Sequence, residues 1–304
     1  MMRRLLHGLV AVSLMGVAAL VAVNRNTPAS AQAAVAGGGV VSIHCATDPE
    51  LMAQVDPILN PGGGPSVHLH QFVGGVRLPE AMDTGEFESE KVRAGGTTCP
   101  LDQDTAGYWF PPLVHKTTGV VLPADHMNAY YRSPKGVNVE AFPPGFTMLA
   151  GHGTPNMPRA TVSSGGGVSW SCRDTGPYHA VPVNCSTGKI TANVHFPNCQ
   201  LANGSLTYGT GKKCVKNLPK LALHIRYHVS NGAMYQLVPG TVGLHADFWN
   251  TWDQATLTGL VENCLDGGLI CTDTTNENVE ARCLCVPGDH PEPTPTPSPT
   301  VAAE

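Results

Sequence analysis

Residues 221–228 read Leu-Ala-Leu-His-Ile-Arg-Tyr-His. Leu221, Leu223, Ile225 and Tyr227 alternate with Ala222, His224, Arg226 and His228. Successive side chains of an extended chain point to opposite faces, so the stretch carries one apolar and one polar face. It reads as a half-buried strand. Short runs rich in Val, Leu, Thr and aromatic residues recur at 67–73, 108–114, 119–122, 128–131, 147–150, 168–172, 190–196 and 233–238. Gly and Pro punctuate them about every ten residues, the spacing of an all-β domain. The expected fold is mainly β: a disulfide-braced β-sandwich or jelly-roll-like core with long loops. One helix is expected near the C-terminus. Asp253 can cap it, and Ala255, Leu257, Leu260, Val261 and Cys264 follow at helical spacing.

Composition is consistent with that class. The chain has 304 residues, of which 42% are hydrophobic, enough for a core of normal size. Charged residues are only 13%, about half the usual share. With 34 Gly and 26 Pro the chain is rich in turn formers, yet short of the level that signals disorder. A long coiled coil, a collagen, a polytopic membrane protein and a fully disordered chain are excluded. Lys and Arg number 18 against 23 Asp and Glu. That balance, and the lack of any nucleic-acid-binding module, argue against a nucleic-acid partner.

Residues 1–31 read as a secretory signal peptide. Arg3 and Arg4 form a positive start, an apolar run follows, and Ala29-Ser30-Ala31 offers small residues for cleavage. The apolar run is ~15 residues, short of the ~20 that span a bilayer. No second apolar stretch is long enough to span one, so no membrane span is expected after signal removal. Loss of Arg3, Arg4 and Arg25 leaves a mature chain more acidic than the formal net charge of −5. The expected localisation is secreted. Residues 32–42 read as a flexible leader and 43–286 as the folded domain. Residues 287–304 read as a Pro/Thr-rich disordered tail.

Ten cysteines in an exported chain imply disulfides. Cys172 with Cys185, and Cys199 with Cys214, are the expected local pairs. Cys264, Cys271, Cys283 and Cys285 can staple the C-terminal stretch. Sequence does not fix the connectivity, and it stays open here.

Thirteen histidines stand out among so few charged residues. Ser66-Val67-His68-Leu69-His70-Gln71-Phe72 places His68 and His70 two apart, on one face of a strand. Gly243-Leu244-His245-Ala246-Asp247-Phe248-Trp249 does the same for His245 and Asp247. His68, His70, His245 and Asp247 together are a metal set of three nitrogens and one carboxylate, which suits a divalent ion. Without a metal, the same groups are candidate catalytic acids and bases, joined by His195 from another strand. His224 and His228 occupy a further strand. Tyr130 and Tyr131 are candidate proton donors, and Tyr131, Trp109 and Trp249 candidate substrate-binding groups. Trp252 could stack on a sugar ring in the same way. Asp56 before Pro57 reads as a turn cap, and Asp104 near Tyr108 is a weaker candidate. There is no GxSxG, HExxH, P-loop or GxGxxG.

Read in order, these pieces resemble the secreted DUF1996 domain family. The resemblance rests on Asp56-Pro57-Ile58 with Pro61-Gly62, on Ser66-Val67-His68-Leu69-His70 and Gly74-Gly75, and on Thr98-Cys99. It continues through Asp104, Tyr108-Trp109, Pro111 and Leu113, Tyr130-Tyr131, Ala141-Phe142-Pro143-Pro144-Gly145-Phe146 and Met148-Leu149-Ala150-Gly151. His195-Phe196-Pro197-Asn198-Cys199, Leu218-Pro219, His224, Leu244-His245-Ala246-Asp247-Phe248-Trp249-Asn250, Trp252-Asp253 and Cys264 complete it. It implies an extracellular domain. Some relatives carry carbohydrate-binding WSC modules, which implies a polysaccharide or cell-wall glycan as partner. It carries over no catalytic residue, because the family's activity is unassigned. The chain departs from the family at Cys199-Gln200-Leu201-Ala202, in the shortened stretch 206–214, and at Ala150-Gly151-His152.

Two functional expectations follow. One is a secreted carbohydrate-active enzyme, a polysaccharide lyase or hydrolase using the histidine/aspartate cluster. The other is a non-catalytic polysaccharide- or cell-wall-binding module. A metal-binding surface protein is a third, weaker reading. All the enzymatic readings require His68, His70, His245 and Asp247 to meet around one point.

Overall fold

The structure, a computed structural model, describes residues 37–56, 58–59, 65–78, 92–151, 167–173, 176–211, 213–239 and 243–272. The stretches read as signal peptide and tail, residues 32–36 of the stretch read as leader, Cys283, Cys285 and His152 lie outside the described residues.

The alternating runs become strands in two main sheets. The larger has six strands in the order β17 (Ile270–Thr272), β1 (Val40–Ala46), β7 (His126–Arg132), β14 (Lys220–Tyr227), β10 (Ile190–His195) and β9 (Gly167–Ser171). β1 and β17 run parallel; the other neighbours are antiparallel. The second sheet has five strands in the order β2 (Met52–Ala53), β3 (His70–Gly74), β4 (Gly107–Phe110), β16 (His245–Trp249) and β8 (Thr147–Gly151). Two small sheets flank them. One joins β12 (Leu206–Thr207), β11 (Cys199–Gln200) and β13 (Lys216–Asn217). The other joins β15 (Tyr235–Leu237), β5 (Leu113–His115) and β6 (Val121–Leu122).

One hydrophobic cluster joins the inner faces of the two main sheets. The six-stranded sheet contributes Val41, Ile43, Met127, Ala129, Leu221, Leu223, Ile225 and Val194. The five-stranded sheet contributes Val73, Tyr108, Phe110, Met148, Ala150 and Phe248. Each large side chain so buried contributes roughly 1.5–3 kcal/mol. The mainly β, disulfide-braced reading therefore holds, with sheets layered over a shared core. In Leu221–Tyr227 the apolar set faces that core, and the polar set lines the outer face.

Alternation also leaves an outer face on the five-stranded sheet. Phe72, Trp109 and Trp249 lie there with Leu78 and Val92 in a second apolar cluster. Leu51, Ala53, Val55 and Ile58 pack on it from the segment around β2. His70, His245 and Asp247 have the same parity as Phe72 and Trp249 along their strands, so they share this face.

Several local expectations shift. The run at 108–114 splits into β4 and β5, because Pro111 and Pro112 have no N–H to give to a ladder. The run at 67–73 becomes a strand only at His70, where β2 supplies its last pairing, Ala53 with His70. His68 therefore sits in the irregular chain before β3 rather than on the strand. β1 begins at Val40, inside the stretch read as a leader. The helix α1 (Gln254–Gly259) starts at the Asp253 cap, whose side chain accepts from Thr256 N at 2.9 Å. It continues through a wider π-helical turn at Leu260–Leu265.

The local disulfides Cys172–Cys185 and Cys199–Cys214 form as expected, and Cys264 pairs with Cys271. Cys45–Cys99 is a long-range bridge that spacing did not reveal. Among the described residues no helix is long and apolar enough to cross a membrane.

Candidate metal centre

β3 and β16 are not neighbours; β4 runs between them. The register places Phe72 opposite Trp109 and Trp109 opposite Asp247. Trp109 on β4 thus lies between Phe72 and Asp247 on the outer face, and the histidines meet at the end of the sheet beyond Trp109. His70 opens β3 and His245 opens β16, while His68 folds back over both. The ring centroids of His68 and His70 are 4.4 Å apart, those of His68 and His245 5.0 Å, and those of His70 and His245 5.5 Å.

The nitrogens are organised. His245 Nδ1 lies 2.8 Å from the Gly243 carbonyl oxygen, and His70 Nδ1 lies 2.9 Å from that of Val55. A carbonyl only accepts, so each Nδ1 carries the proton in the neutral ring and donates it. Each Nε2 is then a lone pair. His245 Nε2 lies 3.3 Å from His70 Nε2 and 3.2 Å from His68 Nε2. Two lone pairs facing each other repel unless a proton or a cation stands between them. A proton is disfavoured at His70, whose pKa falls well below the ordinary histidine value through burial and then through His245 and His68. Burial lowers His68 as well. Two nitrogens about 2.0–2.1 Å from a tetrahedral zinc are about 3.3 Å apart, which is the spacing found here. Carbonyl-anchored Nδ1 atoms are the usual outer partners of ligating histidines.

Two carboxylates lie beside the trio, in a second set that shares only His70 with it. Asp56, His70 and Asp247 each offer a ligand atom within 4.8 Å of the others, and so do His68, His70 and His245. His70 belongs to both sets. Asp247 is fully buried, and neither of its oxygens has a hydrogen-bond partner. Burial, then the nearby Asp56 carboxylate, pushes its pKa well above the usual carboxylate range. Asp56 is raised by burial against the downward pull of the Leu59 and Ile58 N–H groups. Its Oδ1 accepts from Ile58 N and Leu59 N at 3.2 and 3.1 Å, while Oδ2 lies 4.0 Å from His70 Nε2. The sequence reading of Asp56 as a turn cap is right for one oxygen and misses the other.

The remaining expected site residues lie elsewhere. His195 is on β10 in the other sheet, 6.3 Å from the His224 ring, and not with the three clustered histidines. Tyr131 is in the shared core. Its hydroxyl lies 2.5 Å from that of Tyr108 and accepts from Trp252 Nε1 at 3.1 Å. Trp252 is likewise core. Trp109 stacks on Phe72 and is fully buried, and Trp249 is 3% exposed, so neither presents a ring face to solvent. Cys45, Cys99 and Asp104 also cluster, but the two sulfurs are bonded to each other and are not ligands.

No curated protein and no solved structure matches the chain. The model of one family, described as "Domain of unknown function (DUF1996)", matches residues 56–252. That span starts at Asp56, ends at Trp252, and contains every group of the centre. It covers well over half of the chain, which therefore belongs to the DUF1996 family of domains.

Proposed function

We propose that the chain is a secreted, metal-dependent protein acting on extracellular polysaccharide, as a lyase or hydrolase. His68, His70 and His245 hold a divalent first-row ion through Nε2, and zinc suits the spacing best. Asp247 supplies the carboxylate, as fourth donor or as the proton-transfer group beside the ion. The Val55 carbonyl orients His70 through Nδ1, and Asp56 places a further carboxylate near Nε2. An ion so held polarises a substrate oxygen or activates a bound water. The observation that carries the reading is the trio of convergent Nε2 atoms at 3.2 and 3.3 Å, with two Nδ1 atoms tied to carbonyls. Four disulfides and the sequence of residues 1–31 support export.

A second reading has its own support. His70, His245 and Asp247 are 0% exposed, as in a closed structural site. The ion then braces a non-catalytic glycan-binding module.

Purification without chelator followed by elemental analysis tests the centre. About one divalent ion per chain is expected, lost in His70→Ala. Protein that carries no ion, and whose melting is unmoved by added zinc, overturns it. A polysaccharide panel then separates the two readings. Product that disappears with chelator and returns with metal supports the enzyme. A metal-loaded protein that releases none leaves the module.

A further inference from the structure

Trp109 reads in the sequence as a candidate substrate-binding ring, yet it is fully buried in the cluster on the outer face of the five-stranded sheet. Its ring stacks on Phe72, 5.8 Å between centroids, and that contact uses only its apolar face. Its Nε1–H is buried and has no hydrogen-bond partner among the described residues. Buried donors left in that condition are rare, and each calls for an explanation such as a bound water or ion.

The orientation of the indole locates the partner. A Cβ placed on Gly107 would lie 3.3 Å from Trp109 Cζ3, so the benzene edge of the indole lies towards Gly107, two residues back along β4. Glycine leaves the room for it. Nε1 is on the opposite edge of an indole from Cζ3, so the N–H faces forward along β4. At that end His70 opens β3 and His245 opens β16, the two strands that flank β4.

Asp247 stands directly opposite Trp109 on β16. Both of its oxygens are buried without a partner. The two groups therefore do not bond to each other, although residues opposed across a sheet have Cβ atoms only about 4.5–5.5 Å apart. A group that joins them must accept from the indole and donate to the carboxylate. A carbonyl cannot donate and an ammonium cannot accept, whereas a water does both. Three protein nitrogens on a zinc ion leave a fourth position, which water fills.

We infer that Trp109 is a positioning residue of the metal centre: its N–H and the Asp247 carboxylate together hold the water that completes the ion's shell. The N–H occupies one lone pair of that water and Asp247 accepts one of its protons in a hydrogen bond, which leaves the second lone pair for the ion. The inference rests on the centre proposed above. It gives Asp247 the role of proton acceptor there rather than that of fourth donor.

Zinc retention by the full chain, measured against a competing chelator, tests it. Trp109→Phe keeps an aromatic ring against Phe72 and removes the N–H; it should hold zinc about tenfold less tightly or worse. Asp247→Ala should weaken retention too. The double variant should lose clearly less than the product of the two single losses, because both groups hold one water. Packing lost with the smaller ring would lower the melting temperature without producing that coupling. A second measurement needs no substitution and decides the matter if Trp109→Phe fails to fold. In the ¹⁵N-labelled parent, the indole N–H signal of Trp109, recognised by its contacts with Phe72, should move downfield when zinc is added. That of Trp170, in the other sheet, should not. Unchanged zinc retention in Trp109→Phe, losses that multiply in full, or a Trp109 signal unmoved by bound zinc each overturn the inference and leave the centre standing. A parent chain that takes up no zinc removes the centre itself, and the inference with it.

Discussion

Asp247 is the residue on which the empty and loaded forms of the proposed centre would differ most. Its carboxylate is buried without a hydrogen-bond partner and lies near a second acid. Such a charge is unfavourable unless a cation meets it. Asp247→Asn should therefore stabilise the chelated protein by ~1 kcal/mol and weaken ion retention about tenfold or more. Melting curves with and without chelator check the opposed signs; a variant less stable in both states would make Asp247 a plain structural acid. His195 gives a pH effect. The unfolded chain takes up its proton near 6.5 and the folded chain only near about 4. Stability from this group is thus full above that window and falls as the pH drops through it, by roughly 2–3 kcal/mol. His195→Gln should flatten that slope in urea midpoints measured across the window. The spacing of His68, His70, His245 and Asp247 was legible because alternation assigns faces. The role of Asp56 was not, because a turn explains its first oxygen and nothing local reports where its second one points.

Among the elements, the C-terminal helix shows most clearly what local sequence can and cannot specify. The cap was legible, since Asp253 before a periodic apolar run satisfies an orphan N–H. The hydrogen bonds from the Thr256 backbone and side chain lower its pKa. Its stabilisation is present above the ordinary carboxylate range and is lost as pH falls through the lowered folded value. Asp253→Ala should cost about 1 kcal/mol, Asp253→Asn less, and the alanine variant should lose that acid sensitivity. Equal unfolding midpoints for parent and alanine variant would show that packing alone holds the helix. The π-helical turn after it was not legible. Leu260, Val261, Cys264 and Leu265 are all buried there, and Asp266 N donates to Val261 O five residues back. Tertiary packing and the Cys264–Cys271 bridge set that geometry, and 3.6-residue periodicity is blind to it. In the same way the alternating run at 67–73 promised a strand, but a strand needs a partner, and β2 is two residues long.

At the scale of the whole described domain, the strands were legible and their order was not. His195 and His245 both sit on alternating strands, and nothing near either one says which sheet it joins. That is a non-local choice made by the shared core. It places the candidate metal centre on the outer face of one sheet and His195 on that of the other. The centre also draws on segments 175 residues apart, His70 and His245, which no backbone ladder joins directly. An ion there would act as a cross-link on the outer face, while the inner core is held by apolar burial and by the Cys45–Cys99 bridge, neither of which would involve it. Removing it should loosen the structure unevenly. At an ion concentration about 100-fold above its dissociation constant, linkage is worth about 2.7 kcal/mol, or roughly 100-fold in local opening. Hydrogen exchange on chelation should therefore quicken in residues 51–56, 68–72 and 243–249, with β7, β14 and β10 unchanged, because local openings need not pass through the global one. A uniform loss of protection would mean that the ion is coupled to the whole core, and no change anywhere would mean that these histidines hold none.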